Sequence, residues 1–234
     1  MRAALLLLAA LGAVAWFWWG KAPGWRREDA WTRAATYQRL LLKTGLAFLL
    51  PGLIGLALLG RLDALWRMPL EFAPVSAVAP TIDGVPMLLA GLAAGAAVGQ
   101  VLAWRAVRRG RRPFTLGDYE TLVPQSRAEL PWGVALSVMA GVAEELFHRL
   151  LLPLLLTLVT GSAGLAVTLS VALFAGLHRY QGWAGVAATG FVGALMTAVY
   201  LGTGALWAAM LLHTLIDLNG LVLRPLVSGA LRGR

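Results

Sequence analysis

Between Leu130 and Leu223 the sequence is almost wholly apolar, yet Glu144, Glu145, His148, Arg149, His178, Arg179, His213 and Asp217 lie inside it, including every histidine of the chain. Apart from Tyr180 and Tyr200, no other ionisable side chain interrupts the stretch. A charge carried into a bilayer-crossing helix costs roughly 2.5–3.5 kcal/mol on insertion scales, so such groups are kept for what they do. A glutamate shielded from bulk solvent beside a histidine can act as a general base that activates water.

Spacing narrows the roles. Adjacent residues on a helix diverge by about 100°, whereas residues four apart share a face. Glu145 can therefore pair with Arg149, which leaves Glu144 to face a cavity. His213 and Asp217 are also four apart, and an aspartate there can orient the imidazole, hold its tautomer or join it in gripping an ion. Two histidines with carboxylates form an acceptable zinc set, so Glu144, His178, His213 and Asp217 double as metal-ligand candidates. Both options stand at this point: no cofactor, or a divalent metal such as zinc. Taken singly, each element has a plain structural reading: a buried ion pair, an interfacial histidine, a helix-stabilising contact. Three such elements on three separate apolar runs point to one shared purpose.

The elements that must position these groups are membrane helices. The chain of 234 residues is 59% hydrophobic and 13% charged, with mean hydropathy +0.73, too apolar for a soluble domain. Its apolar runs are continuous rather than alternating, which favours helices over a β-barrel. The expected fold is all-α, a polytopic transmembrane bundle with runs near residues 3–20, 44–60, 85–104, 131–159, 163–178, 183–201 and 204–222. That is about seven spans, or eight with a re-entrant or interfacial helix. Pro51 and Pro153 should kink or loosen their helices. Gly91, Gly95 and Gly99 form a small-residue stripe, expected to pack inside the bundle rather than to dimerise. Trp16, Trp18, Trp19, Trp25, Trp31, Trp66, Trp104 and Trp132 fall near span ends as interfacial anchors.

The net charge of +9 has no aromatic interleaving of the kind that binds single strands, so nucleic acid is not an expected partner. Orientation explains it instead. The basic segments Lys21–Lys43 (with Arg26, Arg27, Arg33 and Arg39) and Arg105–Arg127 (with Arg108, Arg109, Arg111 and Arg112) belong on the cytoplasmic side, with Arg179 and a tail holding Arg224, Arg232 and Arg234. The loop from Arg61 to Gly84, where Arg67 and Arg61 are balanced by Asp63, Glu71 and Asp83, belongs outside. The expected location is a bacterial-type inner membrane. Arg2 and the Ala13-Val14-Ala15 triplet resemble a signal peptide, but cleavage would leave the first basic segment exported, so retention is expected. With no cysteine, disulfides, thiolate metal sites and a cysteine nucleophile are excluded. Residues 1–129 read as membrane spans with basic loops, 130–222 as a catalytic helical core of the same domain, and 223–234 as a basic tail.

The ordered elements Glu144-Glu145-x-x-x-Arg149, Phe174-x-x-x-His178 and His213-x-x-x-Asp217 resemble the CPBP family, the CAAX-protease and bacteriocin-processing (Abi-type) intramembrane proteases. The resemblance covers about residues 130–222. It implies that Glu144, with His178, activates the attacking water, that His213 and Asp217 steady the oxyanion, and that Glu145 and Arg149 organise the base. Two positions depart from the family pattern. Phe-Arg-Gly is common around the arginine, where this chain has His148-Arg149-Leu150. An ionised Asp217 cannot donate to an oxyanion, so it orients His213, stays protonated or ligates a metal.

The leading expectation is an intramembrane endopeptidase acting on a peptide or protein substrate, either lipid-modified or membrane-associated, within the bilayer. The rivals are a proton-coupled transporter and a catalytically degenerate scaffold, since the same buried groups suit proton transfer or complex formation.

Overall fold

The computed structural model describes residues 1–19, 30–80, 82, 84–111, 117–228 and 231. Among these the chain is all-α, without strands. Its long rods are α1 (Arg2–Trp19), α2 (residues 30–59), α3 (Val85–Arg108), α4 (residues 130–160), α5 (Ala163–Leu177), α6 (Gly182–Thr203) and α7 (residues 206–228). Five stretches are long and apolar enough to cross a membrane: Arg2–Trp19, Arg33–Leu59, Val85–Arg108, Ala163–Thr203 and Leu206–Val227. The fourth holds both α5 and α6, joined by the 3-10 turn His178–Gln181. The chain is thus a multi-pass membrane-helix bundle.

Three rods are locally widened into π-helix, at Gly45–Leu49 in α2, Leu146–Leu151 in α4 and Asn219–Leu223 in α7. Each widening ends two residues before a proline, at Pro51, Pro153 and Pro225. Proline has no N–H, and its ring crowds the carbonyl four residues back. An i→i+5 turn relieves that crowding while keeping the backbone bonded. Leu50 N–H thus donates to the Gly45 carbonyl, Leu152 N–H to that of Phe147 and Arg224 N–H to that of Asn219. The loosening expected at Pro51 and Pro153 takes this form, and Pro225 adds a third.

The bundle departs from the sequence pattern at several places. First, α2 begins well before the apolar run near 44–60, because part of the basic segment is helical and packed. Arg33 is buried, its Nε 2.9 Å from Glu129 Oε2, and it donates to the Val123 carbonyl at 2.9 Å. Lys43 lies over the Phe17 ring at 4.8 Å. Neither is merely an orienting charge. Second, a Cβ added at Gly91, Gly95 or Gly99 would meet nothing within 4 Å. The stripe lies on the exposed face of α3, which is tied to the bundle by Leu88, Leu89 and Leu92 packed on the core, by buried Ala103 and by Gln100, donating to Asn219 Oδ1 at 2.8 Å. Third, Trp16, Trp18, Trp19, Trp66 and Trp104 are exposed, but Trp132 packs against the cluster of Tyr37, Leu136 and Leu221. Fourth, Lys21, Trp25, Arg26, Arg27, Asp83, Arg112, Arg232, Arg234 and the Trp31 side chain lie outside the described residues.

Packing fixes α4 in the centre. On one side, Gly52 and Gly55 of α2 receive the Leu146 and Leu151 side chains so closely that a Cβ at either glycine would sit 2.7 Å from a leucine methyl. α1 buries Leu7, Ala10 and Val14, and its Phe17 meets Phe48 at 4.7 Å between ring centroids. The start of α4 is pinned by the preceding loop: the fully buried Tyr37 donates its hydroxyl to the Leu122 carbonyl at 2.9 Å, and Gln125 N–H donates to Glu129 at 3.0 Å. Between α2 and α3, the Arg61 guanidinium bonds both oxygens of Glu71, at 2.6 and 2.9 Å, and so holds that carboxyl below its usual range.

Candidate active site

The site begins with a close crossing of α4 and α7. These rods run antiparallel: Gly133 lies by the Leu221 carbonyl, and further along α4 Gly141 lies against Thr214 and Met210. A Cβ at Gly141 would collide with Thr214 Oγ1 and sit 2.8 Å from the Thr214 backbone nitrogen. Only a glycine permits this approach, which carries Glu145 to His213.

Glu145 is fully buried and uses both oxygens. Oε1 accepts from His213 Nδ1–H at 2.7 Å, and Oε2 faces Arg149 Nε at 3.1 Å. The i,i+4 pairing with Arg149 is as the spacing implied, while the bond to His213 joins residues distant in sequence. On the other edge of the imidazole, Nε2 is 3.7 Å from Asp217 Oδ2, and that aspartate side chain is 30% exposed. His213 is therefore flanked by two carboxylates.

Glu144 is half-buried, and its carboxylate accepts no hydrogen bond and closes no ion pair among the described residues. It lies within electrostatic reach of His213, Asp217, Glu145 and Arg149. His178, at the end of α5, places Nδ1 2.8 Å from the Phe174 carbonyl. A carbonyl can only accept, so Nδ1 carries the proton and the Nε2 lone pair is left to act as a base.

Phe174 is the hub around which these groups assemble. Its ring centroid is 4.8 Å from that of His178, 6.1 Å from His213 and 5.4 Å from His148, with the Arg149 guanidinium carbon at 4.5 Å. Gly193 of α6 makes room for it, since a Cβ there would lie 2.9 Å from Phe174 Cδ1. His148 packs among Phe48, Phe147 and Phe174 with neither ring nitrogen hydrogen-bonded among the described residues, while its carbonyl accepts from Ser170. The structure thus gathers Glu144, Glu145, Arg149, His178, His213 and Asp217 into one cluster. Phe174, Gly141, Gly193 and Ser170 also build it. Of these, the sequence offered a signal only for Phe174, through its place four residues before His178.

The donor set Glu144, His178, His213 and Asp217 is not arranged to hold an ion. Among the described residues no three His, Cys, Asp or Glu side chains are so placed. Two apolar clefts, one between α5 and α6 beside Val75 and Pro80 and one where α3, α6 and α7 meet, contain none of the acids or histidines.

Comparison with known proteins bears on the same segment. Residues 126–219 match the family model described as Type II CAAX prenyl endopeptidase Rce1-like. No curated protein and no solved structure matches the chain. The matched residues contain the whole Glu/His/Arg cluster, and a buried network of this kind is consistent with an intramembrane hydrolase site.

Proposed function

We propose that this chain is an intramembrane endopeptidase, with residues 130–222 as its catalytic core and Glu144 as its general base. The observation that carries the reading is the meeting of His178 and His213 around Phe174, with the 2.7 Å bond between Glu145 and His213 bringing the α4 turn that bears Glu144 to the same place. The match over residues 126–219 supports it.

In this reading a water lies between the Glu144 carboxylate and His178 Nε2. Glu144 takes one proton as the hydroxyl oxygen bonds to the peptide carbonyl carbon, and charge develops on the carbonyl oxygen. His213 then serves as donor: Glu145 holds Nδ1–H, Asp217 favours protonation of Nε2, and the Nε2 proton meets the oxyanion. Glu145 is a positioning residue, kept in place by Arg149. Collapse of the tetrahedral intermediate breaks the C–N bond, and Glu144 returns its proton to the leaving amine. The substrate is a membrane-anchored or lipid-modified peptide reaching the site at the end of the bundle where α5 ends.

The test uses the full chain reconstituted in vesicles with a panel of membrane-anchored fluorogenic peptides. Glu144→Gln and His178→Ala should each lower cleavage by about 10²–10⁴-fold, the usual contribution of a general base. Undiminished cleavage by folded Glu144→Gln protein would overturn the assignment.

A further inference from the structure

We propose that Tyr180 is a further substrate-contacting residue of this site, its hydroxyl held by Gln181 so that the proton points toward a peptide lying across Glu144 and His178. The inference rests on the peptidase reading and adds a binding contact to it.

Tyr180 follows His178 in the turn His178–Gln181, where the chain leaves α5 and enters α6. The two rings are 5.9 Å apart and only 31° from parallel, so Tyr180 stands beside the imidazole that faces the proposed water. The residue is 53% exposed, in keeping with a position at the mouth of the site rather than in its wall. Its hydroxyl is nonetheless within electrostatic reach of both Glu144 and Asp217.

The hydroxyl is held from behind. Gln181 Nε2 donates to the Tyr180 oxygen at 3.0 Å. A phenol that accepts on that side keeps its own proton for another partner. Gln181 is itself locked in place. A Cβ at Gly185 would collide with Gln181 Cβ, and one at Gly117 would lie 3.0 Å from Gln181 Oε1 and 2.8 Å from the Gly185 Cα. Gly117 also has φ +85°, a conformation that side chains rarely adopt. Asp118 N–H donates to the Gln181 carbonyl at 3.1 Å. The same loop reaches α7, where Tyr119 OH accepts from Arg224 at 2.9 Å. The strap from Gly117 to Tyr119 thus spans the end of the bundle and fixes Gln181, which in turn fixes Tyr180 over the opening. A donor there suits a backbone carbonyl next to the scissile bond.

Two measurements on the full chain in phosphatidylcholine vesicles test this, using palmitoylated fluorogenic peptides as the probe. In the first, Tyr180→Phe should raise KM by about five- to tenfold, the worth of one hydrogen bond, with kcat within about twofold. Gln181→Ala should reproduce part of the KM rise alone and add nothing in the Tyr180→Phe background. In the second, p-benzoylphenylalanine replaces Tyr180 in Glu144→Gln protein, and irradiation should cross-link the probe there but not from the same substitution at Phe191, which is 72% exposed on α6. Cleavage by the wild type with unchanged KM in Tyr180→Phe and no cross-link overturns the Tyr180 contact alone. A cross-link at 180 without any cleavage overturns the peptidase reading and leaves the contact standing. Neither cleavage nor cross-link overturns both.

Discussion

At the scale of single residues, Glu145 carries the largest electrostatic responsibility, since its carboxylate pairs with both Arg149 and His213. Removing one partner of a buried pair strands the other charge and destabilises by about 3–5 kcal/mol, whereas replacing both by apolar side chains is often nearly neutral. Glu145→Leu should therefore lower the unfolding midpoint in detergent sharply. The double variant Glu145→Leu with Arg149→Leu should recover most of that loss, yet cleavage should stay low because His213 has lost its holder. Recovery of both stability and cleavage would show that the pair serves packing alone. The pairing with Arg149 was legible from the i,i+4 spacing. The bond to His213 was not, because it depends on where α7 crosses α4, and that crossing turns on a glycine with no chemical signature of its own. Phe174 was marked in the sequence only by its place four residues before His178. Its function as a hub appears only once its ring is seen against His178, His213 and Arg149.

At the scale of elements, the glycines that decide helix approach are those with a neighbour, and four-residue spacing does not reveal the neighbour. Gly91, Gly95 and Gly99 have the more conspicuous pattern and face open space, while Gly141 lies in the tightest crossing. Gly141→Ala should force α4 and α7 apart at Thr214, costing about 1–3 kcal/mol as overpacking does. Because the crossing sets the distance from Glu145 to His213, cleavage should fall further than stability does. Gly95→Ala is the control: with open space around it, initial rates should stay the same and the unfolding midpoint should hold or rise slightly, since alanine favours the helix over glycine. A Gly141→Ala protein as active as wild type would mean that the crossing does not position the dyad. The prolines were better guides than the glycines. Pro51 and Pro153 mark the π-widened turns because a missing N–H acts on its own helix, within reach of a sequence argument. By the same rule Pro225 carried a readable signal in the tail. Arg33 of α2 is the opposite case: its place in the bundle comes from Glu129, far away in sequence.

At the scale of the whole molecule, the antiparallel course of the rods sorts charge between the two ends of the bundle. The end where α3, α5 and α7 finish bears Arg105, Arg108, Arg109, Arg111, Arg179 and Arg224, whereas the opposite end bears Arg61 compensated by Glu71, with Asp63 and Arg67. An excess of arginine near helix ends sets orientation in a membrane, so the first end should face the cytoplasm. His178 and Tyr180 lie at that end, and the site should open there. The absence of cysteine makes this directly measurable. Single cysteines replacing Arg109, beyond the end of α3, and Leu70, 87% exposed in the loop before it, can be probed in intact cells with a membrane-impermeant maleimide. Leu70→Cys should label from outside, and Arg109→Cys only after the membrane is permeabilised. The reverse pattern would place the strap over Tyr180 on the external face, and a substrate would then have to be delivered to the protein from outside the cell.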